Sequence, residues 1–236
     1  MPGRIGGFLI AAAAALVILG GSILPFLTPG YVRLEQARAG AGIIDRTFGY
    51  EKLVASDSPM VRSATTAILG DLLFGGDFDV AFGDSTVLNE REQAHMRDVR
   101  GVFQGFFALV VVSIVVLAWS FRRARDPEER AATWRAVGSG ARGLAIGVAV
   151  AGAFALLAFD AAFEVFHQLF FSAGSFTFDP RTDHLVQLFP EQFWSETAIA
   201  VGVVSIVIAL ITAWAAGRRA WAGRQATVLA TSRART

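Results

Sequence analysis

Four long apolar runs decide most of what this chain can become. A helix that crosses a hydrocarbon layer of about 30 Å needs roughly 20 mostly apolar residues. The stretches 5–29, 101–121, 143–163 and 197–217 meet that length, and Asp160 is the single charge among them. Apolar residues make up 54% of the chain and are bunched into these runs rather than spread. The expected fold is therefore an all-α integral membrane protein, one membrane domain over residues 1–236 with four transmembrane helices. The first run follows a lone Arg4, as in a signal peptide. It exceeds the roughly 7–15 residues of a signal core, so it reads as an uncleaved anchor. With no cysteine, thiol catalysis, thiolate ligands and disulfides are excluded.

Charge sets the expected orientation, because short loops rich in Arg and Lys stay in the cytoplasm. Arg4, the loop 122–142 and the tail 218–236 hold 12 basic and 3 acidic residues. The segments 30–100 and 164–196, taken with Asp160, hold 9 basic and 17 acidic ones. Both termini are thus expected in the cytoplasm, with a large first loop (30–100) and a smaller second loop (164–196) outside. The basic tail follows from the same rule, and nothing else suggests nucleic-acid binding. Within the first loop, Ser58 as a cap, Pro59 in a first turn and Gly75-Gly76 as a stop predict a short helix. Its apolar residues Ala64, Ala67, Ile68, Leu72 and Phe74 predict that it lies on the membrane surface or caps the bundle.

The outer ends of the second and third spans carry the chemistry. "EREQAHMRDVR" (90–100) places His95 27 residues before Arg122, about 40 Å along a continuous helix. In the third span His167 lies 25 residues after Arg142, about 38 Å along if that helix also runs on unbroken. The spans are antiparallel neighbours, so two histidines are expected level with each other. Glu92 and Asp98 flank His95 at three residues on either side, and Glu164 precedes His167 by three, with Asp160 a further turn down. At that spacing a carboxylate can orient each ring. Asp160, near the edge of hydrocarbon, is expected to face the bundle interior or water.

Several uses of these residues compete. Paired imidazoles tuned by carboxylates suit general acid–base catalysis near neutral pH. "EQAH" and "EVFH" are also two Glu-x-x-His motifs of the di-iron bundle type, but such bundles need an inward acid on each of the other two helices. The first span has none, and the fourth has only Glu196 at its lip. "GDS" at Gly83–Ser85 hints at a serine hydrolase, but no Asp-x-x-His accompanies it. The structural alternative is an ion-pair network that ties the helix ends together.

The same residues resemble those of the lipoprotein intramolecular transacylase (Lit) family of four-span bacterial membrane proteins. The resemblance rests on His-Met-x-Asp-Val-Arg, present as His95, Met96, Asp98, Val99 and Arg100, and on Phe-His-x-x-Phe-Phe, present as Phe166, His167, Phe170 and Phe171. "FDP", Asp183 and "LFPEQFW" follow in order, while Phe176 stands where many members carry Trp. The resemblance implies acyl transfer from the sn-2 ester of a diacylglyceryl-cysteine lipoprotein to its own α-amino group, in the bacterial cytoplasmic membrane with the site facing outward. It makes His95 and His167 the catalytic pair, either one being the base. Glu92, Asp98, Arg100, Asp160 and Glu164 then support or orient them, and Phe166, Phe170, Phe171 and Asp183 contact substrate or lipid. Arg100 is also a candidate donor to the oxyanion. No cofactor and no metal are called for, and the partners are diacylglyceryl-modified lipoproteins and membrane lipid. A lipid or acyl-ester hydrolase using the same histidines, or a non-catalytic binder of lipid or lipoprotein, are the alternatives.

Overall fold

The computed structural model describes residues 4–45, 52–82 and 85–233. Its element order is α1 (Arg4–Ile23), a 3-10 turn (Leu24–Leu27), α2 (Pro29–Arg38), β1 (Gly42–Asp45), β2 (Lys52–Ala55), α3 (Pro59–Phe74), β3 (Ala81–Phe82), β4 (Ser85–Thr86), α4 (Glu90–Arg123), α5 (Pro127–Leu157), α6 (Phe159–Phe170), α7 (His184–Leu188) and α8 (Glu191–Arg233). Four helical segments are long and apolar enough to cross a membrane: Arg4–Leu27, Glu90–Arg123, Pro127–Leu157 and Glu191–Gly223. These carry the four expected spans. Of the "GDS" tripeptide, Gly83 and Asp84 lie outside the described residues.

Two compact units form. The first comprises residues 1–23, 106–153 and 201–236. Its interior is built mostly from alanines: Ala141, Ala145, Ala209 and Ala213 cluster with Ile18, and Ala14 and Ala216 with Ile10 and Val137. A Cβ on Gly140 would collide with the Ala11 carbonyl, and one on Gly20 with the Val110 side chain. The large apolar residues Phe8, Val111, Ile146, Val150, Val207 and Leu210 point outward instead. Small inside and large outside is the pattern for helices that pack by close approach in lipid, where apolar surface has no reason to hide.

The second unit, residues 24–105 and 154–200, follows the opposite rule, with a hydrophobic core of its own. Ile43, Val61, Ile68, Phe78, Leu88 and Leu188 are almost or wholly buried in it, together with Met96 and Leu185. The two segments of this unit, distant in sequence, are also tied by polar bonds. Gln36 donates to the Leu188 carbonyl at 3.0 Å and accepts from the Thr65 hydroxyl at 3.2 Å, while the Ile44 N–H donates to Gln187 at 2.9 Å.

The helix at 59–74 forms as its sequence signals predict: Ser58 accepts the Val61 N–H, Pro59 opens the first turn and Gly75 closes it at φ 98°. Its setting differs from expectation. Val61, Ala64, Thr65, Ile68 and Leu69 are buried within the unit, so α3 is a core element, and only its tail, Phe74 at 90% exposure, stays out. The all-helical expectation also needs amending, because β1 pairs antiparallel with β2 and β3 with β4 as two small ribbons. A further departure concerns the third span. It is not continuous to His167, for the helix breaks at Ala158 (φ −152°, ψ 64°) and restarts as α6.

Candidate active site

The start of α4 is fixed by a reciprocal cap. Asn89 Oδ1 accepts the N–H groups of Arg91 and Glu92, both at 3.0 Å, and the Asn89 N–H donates to Glu92 Oε2 at 2.7 Å. Three backbone N–H groups at the helix start are thereby paired. The other Glu92 oxygen accepts the Leu185 N–H of α7 at 2.6 Å. Glu92 is 1% exposed; burial pushes its carboxyl above the ordinary range, while the two N–H donors pull the other way. A second carboxylate completes the junction. Asp183, also buried, accepts from Asn89 Nδ2 at 3.1 Å, Arg91 at 2.8 Å and the Asp179 N–H at 2.8 Å. With its oxygens engaged in this way, Asp183 fits a brace of the second loop rather than a substrate contact.

One turn beyond Glu92, His95 is buried, and so is His167 on α6. Their rings stack with centroids 6.1 Å apart and planes 20° from parallel. Phe171 lies 4.9 Å and Phe178 5.4 Å from His95. Phe163 at 4.0 Å, Phe176 at 5.1 Å and Phe171 at 5.4 Å surround His167. The pair therefore sits in an aromatic enclosure, of which Phe166 and Phe170, each about half exposed, form an outer edge against His167 and Phe166 respectively.

The polar environment of each ring differs from the expected one. Neither histidine is oriented by the carboxylate three residues before it. His167 Nδ1 lies 2.8 Å from the Phe163 carbonyl; a carbonyl only accepts, so Nδ1 carries the proton and Nε2 is left for chemistry. Glu164 is exposed and accepts from Gln168 instead. His95 Nδ1 is buried with no hydrogen-bond partner among the described residues. Burial, and then the neighbouring His167, depress its imidazole to about 4, with Asp98 pulling weakly the other way. Asp98 itself is exposed, as is Asp160 in the first turn of α6, so Asp160 does not face a helix-bundle interior. The two Glu-x-x-His pairs do not converge either, since Glu92 and Glu164 turn to the partners just named.

Arg100 is placed elsewhere. Its guanidinium donates to the carbonyls of Gly76 and Asp71 and lies 5.3 Å from the Phe78 ring centre. It latches the turn after α3, where Phe78 is buried at a positive φ of 60° and its N–H donates to Asp71 at 2.9 Å. Phe176 and Phe178 were not among the expected site residues, although "TFDP" is part of the resemblance. Their signal was an aromatic spacing of two next to a turn, which by itself does not say what the rings face.

Comparisons with known proteins identify a family and a fold. A family model described as "Lipoprotein intramolecular transacylase Lit" matches residues 75–194, which contain both histidines, the reciprocal cap and the aromatic enclosure. No curated protein sequence matches the chain. Among solved structures, the membrane integral lipoprotein intramolecular transacylase Lit from Bacillus cereus superposes with a TM-score of 0.69 at 13% identity, covering 94% of this chain and 97% of that one. Variants of the same Bacillus cereus protein with one histidine changed to arginine or to alanine give TM-scores of 0.62 and 0.59 at 12% identity, over 94% of this chain and 94% and 95% of theirs. At such identities the likeness establishes a shared fold. The family match covers just over half of the sequence, and on that ground the chain belongs to the Lit family and is a membrane-integral acyltransferase.

Proposed function

We propose that the chain moves the acyl group of the sn-2 ester of a diacylglyceryl-cysteine lipoprotein onto the α-amino group of that cysteine, and that His95 and His167 carry the proton transfers. The stacked, buried histidine pair inside a ring of phenylalanines is the observation that supports this reading. An α-amino group has a pKa near 8, so it attacks only after losing a proton. Attack on the ester carbonyl forms the C–N bond and leaves an N–H proton to be removed. His167, whose Nδ1–H is committed to the Phe163 carbonyl, offers Nε2 as the base and then returns that proton to the glycerol oxygen as the C–O bond breaks. His95 stays neutral, and its ring N–H acts as a donor to the oxyanion. Amine and ester arrive in one molecule, so the chain need not supply a nucleophile.

The phenylalanines give both rings apolar surroundings, which favours the lipid-borne amine over water as the acyl acceptor. The orientation that goes with this reading keeps both termini in the cytoplasm and the histidine pair outside, following the distribution of arginines. The test is mass spectrometry of the N-terminal lipopeptide of a reporter lipoprotein, made in cells lacking other N-acylating enzymes. With wild type, one acyl chain is expected to move from glycerol to nitrogen at unchanged total mass, and with His95→Ala or His167→Ala it is expected to stay. Loss of an acyl mass would show hydrolysis and overturn the reading.

A further inference from the structure

Within the first unit lies a cavity of about 1060 Å³, at the upper end of the roughly 300–1,000 Å³ usual for ligand sites. Its walls divide by chemistry. Leu9 and Ile10 of α1 with Val115 and Trp119 of α4 are apolar, whereas Arg122, Arg123 and Arg125 line the other part. The one acid in the lining is Glu129, and its carboxylate accepts the Arg125 backbone N–H at 3.0 Å. Arg123 lies over the Trp119 ring at 5.6 Å, which sets a cation on the boundary between the two parts.

The positive-inside rule accounts for arginines at this end of the helices, but it does not call for an open apolar hollow beside them. Left empty, such a hollow forfeits the dispersion contacts of its lining. A phosphodiester suits three guanidinium groups, and an acyl chain suits the Leu9–Val115 wall. We infer that this cavity binds an anionic phospholipid of the membrane, with its headgroup on Arg122, Arg123 and Arg125 and a chain along α1 and α4. In the proposed orientation that lipid sits in the cytoplasmic leaflet, so it is not the lipoprotein substrate.

The test is native mass spectrometry of the full chain released from vesicles of equal phosphatidylglycerol and phosphatidylcholine. Wild type is expected to retain phosphatidylglycerol preferentially, and Arg122→Gln with Arg125→Gln to lower that preference roughly fivefold per arginine. Leu9→Trp, which fills the hollow and keeps the charges, is expected to lose both lipids. A photoactivatable phosphatidylglycerol should label the 119–125 segment of wild type, an arm that needs no variant to fold. Retention without headgroup preference in wild type, or labelling only elsewhere, overturns the inference. Displacement of the lipid by inorganic phosphate alone would make this a plain anion site and overturn it too.

Discussion

His95 and His167 stack at 6.1 Å, yet their hydrogen-bonding positions are opposite: one Nδ1 is held by a backbone carbonyl at 2.8 Å and the other is buried without a partner. In the proposed mechanism that asymmetry goes with different tasks, and amide substitutions test them. An asparagine can donate a hydrogen bond but cannot accept a proton. His95→Asn is therefore expected to keep a measurable fraction of transfer, while His95→Ala loses the 10²–10³-fold typical of a missing oxyanion donor. At position 167 asparagine and alanine should be equally poor, each losing about 10²–10⁴-fold. Initial rates on a synthetic diacylglyceryl lipopeptide in nanodiscs decide it, and a His167→Asn variant as active as His95→Asn would reverse the roles.

The buried state of His95 fixes a sign for pH dependence. Its folded value of about 4 lies below the ordinary 6.5, so between those values the unfolded chain binds the extra proton. Stability is then complete above about pH 6.5 and declines as pH falls toward 4, by on the order of 3 kcal/mol in full. Transfer should show no inflection near pH 6.5 that disappears in the His95→Asn variant. With three histidines in the chain, nitrogen-15 NMR of histidine-labelled protein can follow each ring, and the His95 signals are expected to move near pH 4. A midpoint near 6.5 would mean that the ring is solvated.

Glu92 separates a structural from a catalytic carboxylate. It accepts two backbone N–H groups, one from its own helix cap and one from α7. A Glu92→Gln amide offers one acceptor oxygen and turns donors toward the other N–H, which leaves a buried donor unpaired at a cost of about 1–3 kcal/mol. The expected result is a lower melting temperature with an unchanged shape of the pH–rate profile. A shifted profile at unchanged melting temperature would restore Glu92 as an electrostatic partner of His95.

How much of this was legible in the sequence follows from the range of each interaction. Span lengths, the Ser58–Pro59 start and the Gly75 stop are local signals, and they place α1, α3, α4 and α8 well. The two histidines, level by residue count along their helices, do pair, although the third span breaks at Ala158 instead of running on to His167. No Pro or Gly marks that break, so the pattern of residues held no warning. Carboxylates three residues from each histidine looked like orienting groups because helical spacing brings them near. Their actual partners are Asn89 and Leu185 for Glu92 and Gln168 for Glu164: Leu185 comes from α7, 93 residues away, and Asn89 and Gln168 are competing near neighbours. The "NERE" cap at 89–92 was there to be read as an Asn followed three residues later by a Glu. The second unit's core, with Leu188 packed in the same cluster as Ile43 and Ile68, is nonlocal throughout.

Arg100 belongs to the histidine motif by sequence but to the latch of the 75–78 turn by structure. Its Nη1 donates to two carbonyls while the guanidinium plane lies against Phe78, and lysine's compact ammonium has no planar group to lie on that ring. Arg100→Lys is expected to loosen this turn, where a buried phenylalanine holds positive φ, a conformation that costs on the order of 1–3 kcal/mol and persists only while its surroundings hold it. Limited proteolysis should then cut near Gly76 several times faster, and amide hydrogen exchange at Asp77 and Phe78 should rise. If Arg100 acts through the turn, the rate of acyl transfer should recover at low temperature or with a stabilising lipid. An oxyanion donor behaves otherwise: its loss lowers the rate at every temperature while the turn stays protected, and that pattern would return Arg100 to the reacting centre.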